Sequence, residues 1–230
     1  MNKLMGKFPK NLLVKNKIVP IMLVLLFLPF TLIYAQQVAI LKYNGGGDWY
    51  ANPTALPNLI KFSNNAIHTS IKTNPETVEA SSLDVFNYPI LFMTGHGNVI
   101  FSEDAIDNLK TYLISGGFLH ISDNYGLDKY IRREIKRIFP NLDFQEIPFN
   151  HPIYHQTFDF KEGTPKIHEH NNKPPQGFGL FYEGRLICFY DYESDLSDGW
   201  EDEEVHNDNY EVREKALKMG ANIIEYAFKN

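Results

Sequence analysis

Aspartate and histidine are the side chains in this sequence best suited to moving protons, and several of them stand in short stretches rich in glycine and asparagine. Asp48 follows Gly45-Gly46-Gly47 and precedes Trp49. His96 lies between Gly95 and Gly97, Asp123-Asn124 follows Ser122, and His151 precedes Pro152. Imidazole changes charge near neutral pH, so beside a carboxylate it can serve as general acid or base. Asp123, His96 and His151 are therefore the candidate catalytic groups, with Gly46, Gly47, Asp48, Trp49 and Asn124 as candidate ligand contacts. Each has a structural alternative. The three glycines permit a tight turn with positive φ. They lack both the spacing of a dinucleotide fingerprint and the Lys-Ser/Thr of a phosphate loop. Asp123 can cap a following helix, and His151-Pro152 can form a rigid turn.

Metal chemistry is the competing use of these residue types. His151 with His155, and His168 with His170, offer imidazole nitrogens. His168-Glu169-His170 lacks the four-residue helical spacing of zinc proteases. The stretch 191–208 contains nine acids and no Lys or Arg. Its oxygens suit calcium, but the glycine and ligand spacing of a calcium loop are missing. A run of like charge reads as a solvated, flexible loop. No residue is thus assigned to a metal, and the sequence specifies no cofactor. Cys188, the single cysteine, excludes an internal disulfide and a thiolate zinc cluster. It lies in an apolar run and reads as core.

The elements that must position these groups follow from periodicity. Val38–Tyr43 reads as a buried strand ending in the glycines. Asn52 and Pro53 then open a helix as cap and first turn, with Leu56, Leu59, Ile60 and Ser63 on one face. Thr77–Ala80 is a possible short strand, and Pro89–Thr94 is a clearer one. Ser102 caps a helix whose stripe is Ile106, Leu109 and Leu113, with Gly116-Gly117 after its end. Phe118–Ile121 is a strand, Leu127–Ile138 an amphipathic helix stopped by Pro140, and Leu142–Ile147 a fifth candidate strand. Residues 148–177 read as a long ordered loop. Gly179–Tyr182 and Arg185–Tyr190 form a hairpin about Glu183-Gly184, and a final helix covers 211–228.

Alternating strand and helix predict a three-layer α/β fold of the flavodoxin-like type, a mainly parallel sheet with helices on both faces, followed by the hairpin and last helix. In such a sheet ligands bind beyond the carboxyl ends of the strands. Asp48, Trp49, His96, Asp123, Asn124 and His151 are all expected at that edge.

Charge narrows the partners. Residues 1–35 carry five lysines and no acid, so the remainder holds 17 basic against 28 acidic residues, a net of −11. Such a body does not suit a phosphate backbone, which excludes nucleic acid as a partner. The early lysines precede a 16-residue apolar run, Ile18–Ile33, and Ala35. This is the order of a secretory signal, and the run is short of the roughly 20 residues that span a bilayer. The expectation is cleavage after Ala35, a single domain over 36–230, and a periplasmic or extracellular location. Membrane association would come only through an uncleaved signal segment.

The stretches KYNGGGDWYANP (Lys42–Pro53), TGHG (Thr94–Gly97), SGGFLHISDNYG (Ser115–Gly126), FNHPIYH (Phe149–His155), GRLICFYDYESDLSDGW (Gly184–Trp200) and GANIIEYA (Gly220–Ala227) resemble an exported bacterial family catalogued as domain of unknown function 4159. That resemblance implies export and no established activity. From Tyr88 to Gly126 the chain also resembles, more distantly, the class I glutamine-amidotransferase-like fold. That fold places a nucleophilic cysteine on the sharp turn where this chain has Ser122 and Asp123. Thiolate chemistry at that turn is excluded, and no Gly-x-Ser-x-Gly elbow replaces it. Two readings follow. One is a non-catalytic exported domain that binds a small molecule, a glycan or an exported protein. The other is a hydrolase, carbohydrate-acting or metal-assisted, working through Asp and His at the sheet edge.

Overall fold

The computed structural model describes residues 37–230, so the expected signal segment lies outside the described residues. Five strands run parallel: β1 (Val38–Lys42), β2 (Glu76–Glu79), β3 (Ile90–Gly95), β4 (Phe118–Asp123) and β7 (Arg185–Tyr192). β6 (Gln176–Tyr182) pairs antiparallel with β7, and the two-residue β5 (Gln145–Glu146) pairs antiparallel with β6. The strand order is β2-β1-β3-β4-β7-β6-β5.

Alternation along the strands feeds two cores. Ala39, Leu41, Leu91, Met93, Leu119 and Ile121 join helices α2 (Glu103–Ile114) and α3 (Asp128–Ile138). Val38, Ile90, Phe92 and Phe118 join α1 (Ala55–Ala66) and α5 (Tyr210–Lys229) on the other face. Both faces of the sheet are therefore covered, as parallel sheets require, and the three-layer α/β expectation holds. Ser102 caps α2, its side chain accepting from the Ala105 amide at 3.3 Å. Cys188 is fully buried, and burial pushes its thiol far up, so no reactive thiolate is present.

Three local expectations are corrected. Asn52 does not cap α1. Thr54 holds that position, and Asn52 sits at φ 59° with its amide committed elsewhere. The fifth strand shrinks from Leu142–Ile147 to two residues, because Leu142 and Phe144 pack sideways onto the α2/α3 core instead of extending the ladder. The acidic stretch 191–208 is not a solvated loop. Asp191, Glu193, Ser194, Asp195, Leu196, Ser197, Trp200 and Glu201 are all buried. Leu196 and Trp200 anchor it in the α1/α5 core, and its acids find partners in distant segments. A short helix, α4 (Glu203–His206), closes it.

Candidate functional site

Parallel pairing sends the exits of β1, β3, β4 and β7 to one edge, where three separate polar groups form. The first joins the β1 and β3 loops. Gly47 donates its amide to Asn98 O at 2.9 Å. A Cβ at Gly47 would lie 2.6 Å from the His96 carbonyl, so only glycine allows this approach. Asp48 accepts from the His96 backbone amide at 2.5 Å and lies 3.0 Å from His96 Nδ1. His96 is exposed, and Trp49 is half-buried with Lys42 Nζ 5.8 Å from its ring centre.

The second group lies under the sharp turn after β4 and is sealed. The fully buried Asp191 carboxylate accepts from Ser122 Oγ at 3.0 Å and sits 2.7 Å from His120 Nε2. Burial pushes the Asp191 carboxyl up, against the pull of His120 and Ser122. The carboxylate stands between serine and histidine, so the imidazole bonds Asp191 and not Ser122 Oγ, and this is not the Ser-His-Asp order of a nucleophile triad. Ser122 Oγ also accepts from the Ser197 amide at 3.2 Å. Asp123 accepts from the Leu127 amide at 3.1 Å, ahead of α3, and from Tyr190 Oη at 3.0 Å. Burial raises its carboxyl to about 6, against those two hydrogen bonds. Asn124 accepts from Thr94 Oγ1 at 3.1 Å and Ser197 Oγ at 2.9 Å, and its amide donates to Asn52.

The third group is partly open to solvent and belongs mostly to the β7 exit. Asn52 donates to Asp198 Oδ1 at 2.5 Å. Asp198 Oδ2 lies 3.3 Å from His168 Nδ1 and 3.8 Å from His206 Nε2. The other nitrogen of His168 is 3.0 Å from Asp208 Oδ2. Asp195 pairs with His170 and lies 3.8 Å from His168 Nδ1. His170 stacks on Tyr125, with ring centres 4.8 Å apart. Three carboxylates and three imidazoles thus converge from the stretch after β7 and the segment around 168, with Asn52 from the β1 loop and Tyr125 from the β4 loop beside them. Hydrogen bonding to Asp198, then to Asp208, raises His168 to about 9 against its partial burial. Burial and the neighbouring Asp198 push Asp195 up to about 6, against His170 and His168. Burial also works on Asp198, but bonds from His168 and Asn52 outweigh it and hold that carboxyl below its usual range. Asn52, Tyr125, Glu193 and Asp195 all take positive φ around this group, 59°, 75°, 54° and 54°. For Tyr and Glu that is a costly conformation.

Of the residues singled out from sequence, Asp48 and His96 are brought together, with Gly47 supporting them and Gly46 in the same turn at φ 86°. Asn124 bridges the sealed and open groups. Asp123 accepts from the amide of Leu127, the N-cap residue of α3, without itself capping the helix, and bonds neither Asp48 nor His96. His151 does not join them. Its ring packs on Phe181 and Tyr226, and Tyr226 packs on Phe118. Phe118 begins β4 and Asp123 ends it, so the two sites are separated by roughly 16 Å of strand. His151 accepts from the Ile153 amide at 3.2 Å as a cap, and burial lowers its pKa. Asp195, Asp198, His206 and Asp208 were missed. The available signal was Leu196 and Trp200, which a solvated loop would not carry.

A comparison with protein families matches residues 37–228 to the family described as Domain of unknown function (DUF4159). The chain belongs to that family. No curated protein matches it.

Proposed function

We propose that this DUF4159 domain is an exported, non-catalytic binding module that takes a polar ligand or partner at the open His/Asp group of its carboxyl sheet edge. Export rests on the Lys-rich, apolar, Ala-ended order of residues 1–35. The amidotransferase-like reading of the fold is supported by the strand–helix–glycine–strand–turn order over Tyr88–Gly126. One observation carries the binding reading. At the turn where that fold keeps a nucleophile, every reactive group is committed inward, while the exposed chemistry stands one strand away. Ser122 and Asp123 are buried and bonded to Asp191, Leu127 and Tyr190. A hydrolase using Asp123 with His96 would need both at one substrate atom, and they belong to separate hydrogen-bonded groups.

The test is turnover. The purified protein is incubated with p-nitrophenyl acetate, p-nitrophenyl phosphate and p-nitrophenyl β-N-acetylglucosaminide, alongside Asp123→Asn and Asp48→Asn. The expected result is no hydrolysis above buffer, or a trace that neither variant changes. Hydrolysis abolished by either substitution overturns the non-catalytic reading.

A further inference from the structure

We propose that His168, Asp198 and His206 hold a divalent transition-metal ion of the zinc class. This inference rests on the reading that the open group is the binding site, and it names what that group takes.

The geometry supplies three donor atoms around one point. One donor atom each from His168, Asp198 and His206 lies within 4.8 Å of the other two, with His168 Nδ1 and His206 Nε2 both beside Asp198 Oδ2. Two edges of that triangle are 3.3 and 3.8 Å. Metal–nitrogen and metal–oxygen bonds of about 2.0–2.2 Å in a tetrahedral site place ligand atoms about 3.3–3.5 Å apart. The longer separations close by small movements of His206, which is exposed on the four-residue helix α4.

The outer contacts fit the same ion. Metal-bound imidazole commonly gives its second nitrogen to a carboxylate, which fixes the ring and its tautomer. His168 Nε2 meets Asp208 at 3.0 Å in just that way. The second oxygen of Asp198 accepts from Asn52, leaving Oδ2 directed at the two imidazoles. Asp195 Oδ2, 3.8 Å from His168 Nδ1, is within reach as a fourth ligand. If it stays with His170, the fourth position is open to a ligand from outside. Nitrogen donors favour zinc, copper, nickel or iron over calcium and magnesium, which prefer oxygen alone. Charge favours a cation as well. Among the described residues, the ion-pair partners of Asp195, Asp198 and Asp208 are histidines, with no Lys or Arg.

The full chain is stripped with a chelator and titrated with zinc chloride, and separately with cobalt(II) chloride, whose visible bands report tetrahedral coordination. One equivalent of each should bind, with intense cobalt bands. His206→Ala, at an exposed position, should weaken zinc binding at least tenfold, while His155→Ala, paired with Asp159 elsewhere, should leave it unchanged. Less than a tenth of an equivalent bound, binding by calcium alone, or wild-type affinity in His206→Ala overturns the metal site. The two readings fail separately. A protein that binds no zinc and hydrolyses nothing loses only the metal. Hydrolysis that appears with cobalt and vanishes in His206→Ala keeps the metal and discards the non-catalytic reading.

Discussion

The turn after β4 and the loop after β7 leave neighbouring strands at the same edge, yet they use their acids in opposite ways. After β4, the buried Asp123 carboxyl has two neutral donors, and burial, helped by the nearby Asp128 and Asp191, lifts it to about 6. After β7, Asp195 and Asp198 meet imidazoles, and Asp198 is held below its usual range, while burial and the neighbouring Asp198 still push Asp195 up to about 6. The sequence order suggests the reverse, a functional turn after β4 and a solvated run after β7. What decides is the supply of counter-groups. Residues 166–173 fold over the β7 exit and bring His168, His170, Lys166, Asn171 and Lys173 to its acids. Among the described residues, no group of opposite charge forms an ion pair with Asp123, whose hydrogen-bond donors are the Leu127 amide and Tyr190. A buried acid held by neutral donors is structural, and a buried acid among histidines has chemistry to offer.

The largest expected effect breaks this comparison if it fails. Trp200, in the middle of the acidic loop, is fully buried between Phe92 and His120, and its Nε1 donates to Ala216 O at 2.9 Å. Trp200→Ala should cost about 3–5 kcal/mol in urea unfolding, the usual range for emptying an aromatic site. Tyr50→Ala, 66% exposed on the β1 loop, should stay within about 0.5 kcal/mol. Equal small losses would mean that the β7 loop is solvated after all and that its histidine partners are incidental.

A smaller effect sharpens the contrast through pH. Asp123 titrates near 6 when folded and near 3.8 when unfolded, so the unfolded chain gives up its proton first. The stability linked to the protonated form is complete below about pH 4 and is lost as pH rises through 6. Above that the folded carboxylate costs about 3 kcal/mol. Asp123→Asn removes this charge while its amide can still accept from Leu127 and donate to Tyr190. The variant should therefore gain on the wild type between pH 4 and 7, by up to that amount. A stability difference that does not vary over that interval would show that Asp123 is not a desolvated carboxyl.

Much of the fold was legible from local pattern, and the reason is physical. Strands buried on both faces appear as apolar runs, as in PILFMT at 89–94, and helices as stripes such as Ile131, Ile135 and Ile138. Parallel direction then puts Asp48, His96 and Asp123 at one edge without further information. The open group was not legible because its pairing is long-range. His168 meets Asp198 across 30 positions and Asn52 meets Asp198 across 146, distances over which no periodicity operates. His151 failed for the related reason that the two-residue β5 fixes no direction for the chain beyond it. After Ile147 the chain doubles back onto Phe181 and Tyr226.

The smallest effect concerns the β1/β3 corner, which stands between the two extremes: an acid with an imidazole partner, but exposed. His96 and Asp48 side chains are 52% and 34% exposed, and exposed pairs contribute about 0–1 kcal/mol. His96→Ala should therefore cost less than about 1 kcal/mol, and less still in high salt. Asp48 keeps its 2.5 Å bond to residue 96 in that variant, because the donor is backbone. Asp48→Ala loses both contacts and should cost more, about 1–2 kcal/mol. This order, aspartate above histidine, means the corner is locked by carboxylate and main chain, while the imidazole rides on it free to meet a ligand. The opposite order, with His96→Ala the more damaging, would make the imidazole part of the scaffold and remove His96 from the candidate catalytic groups.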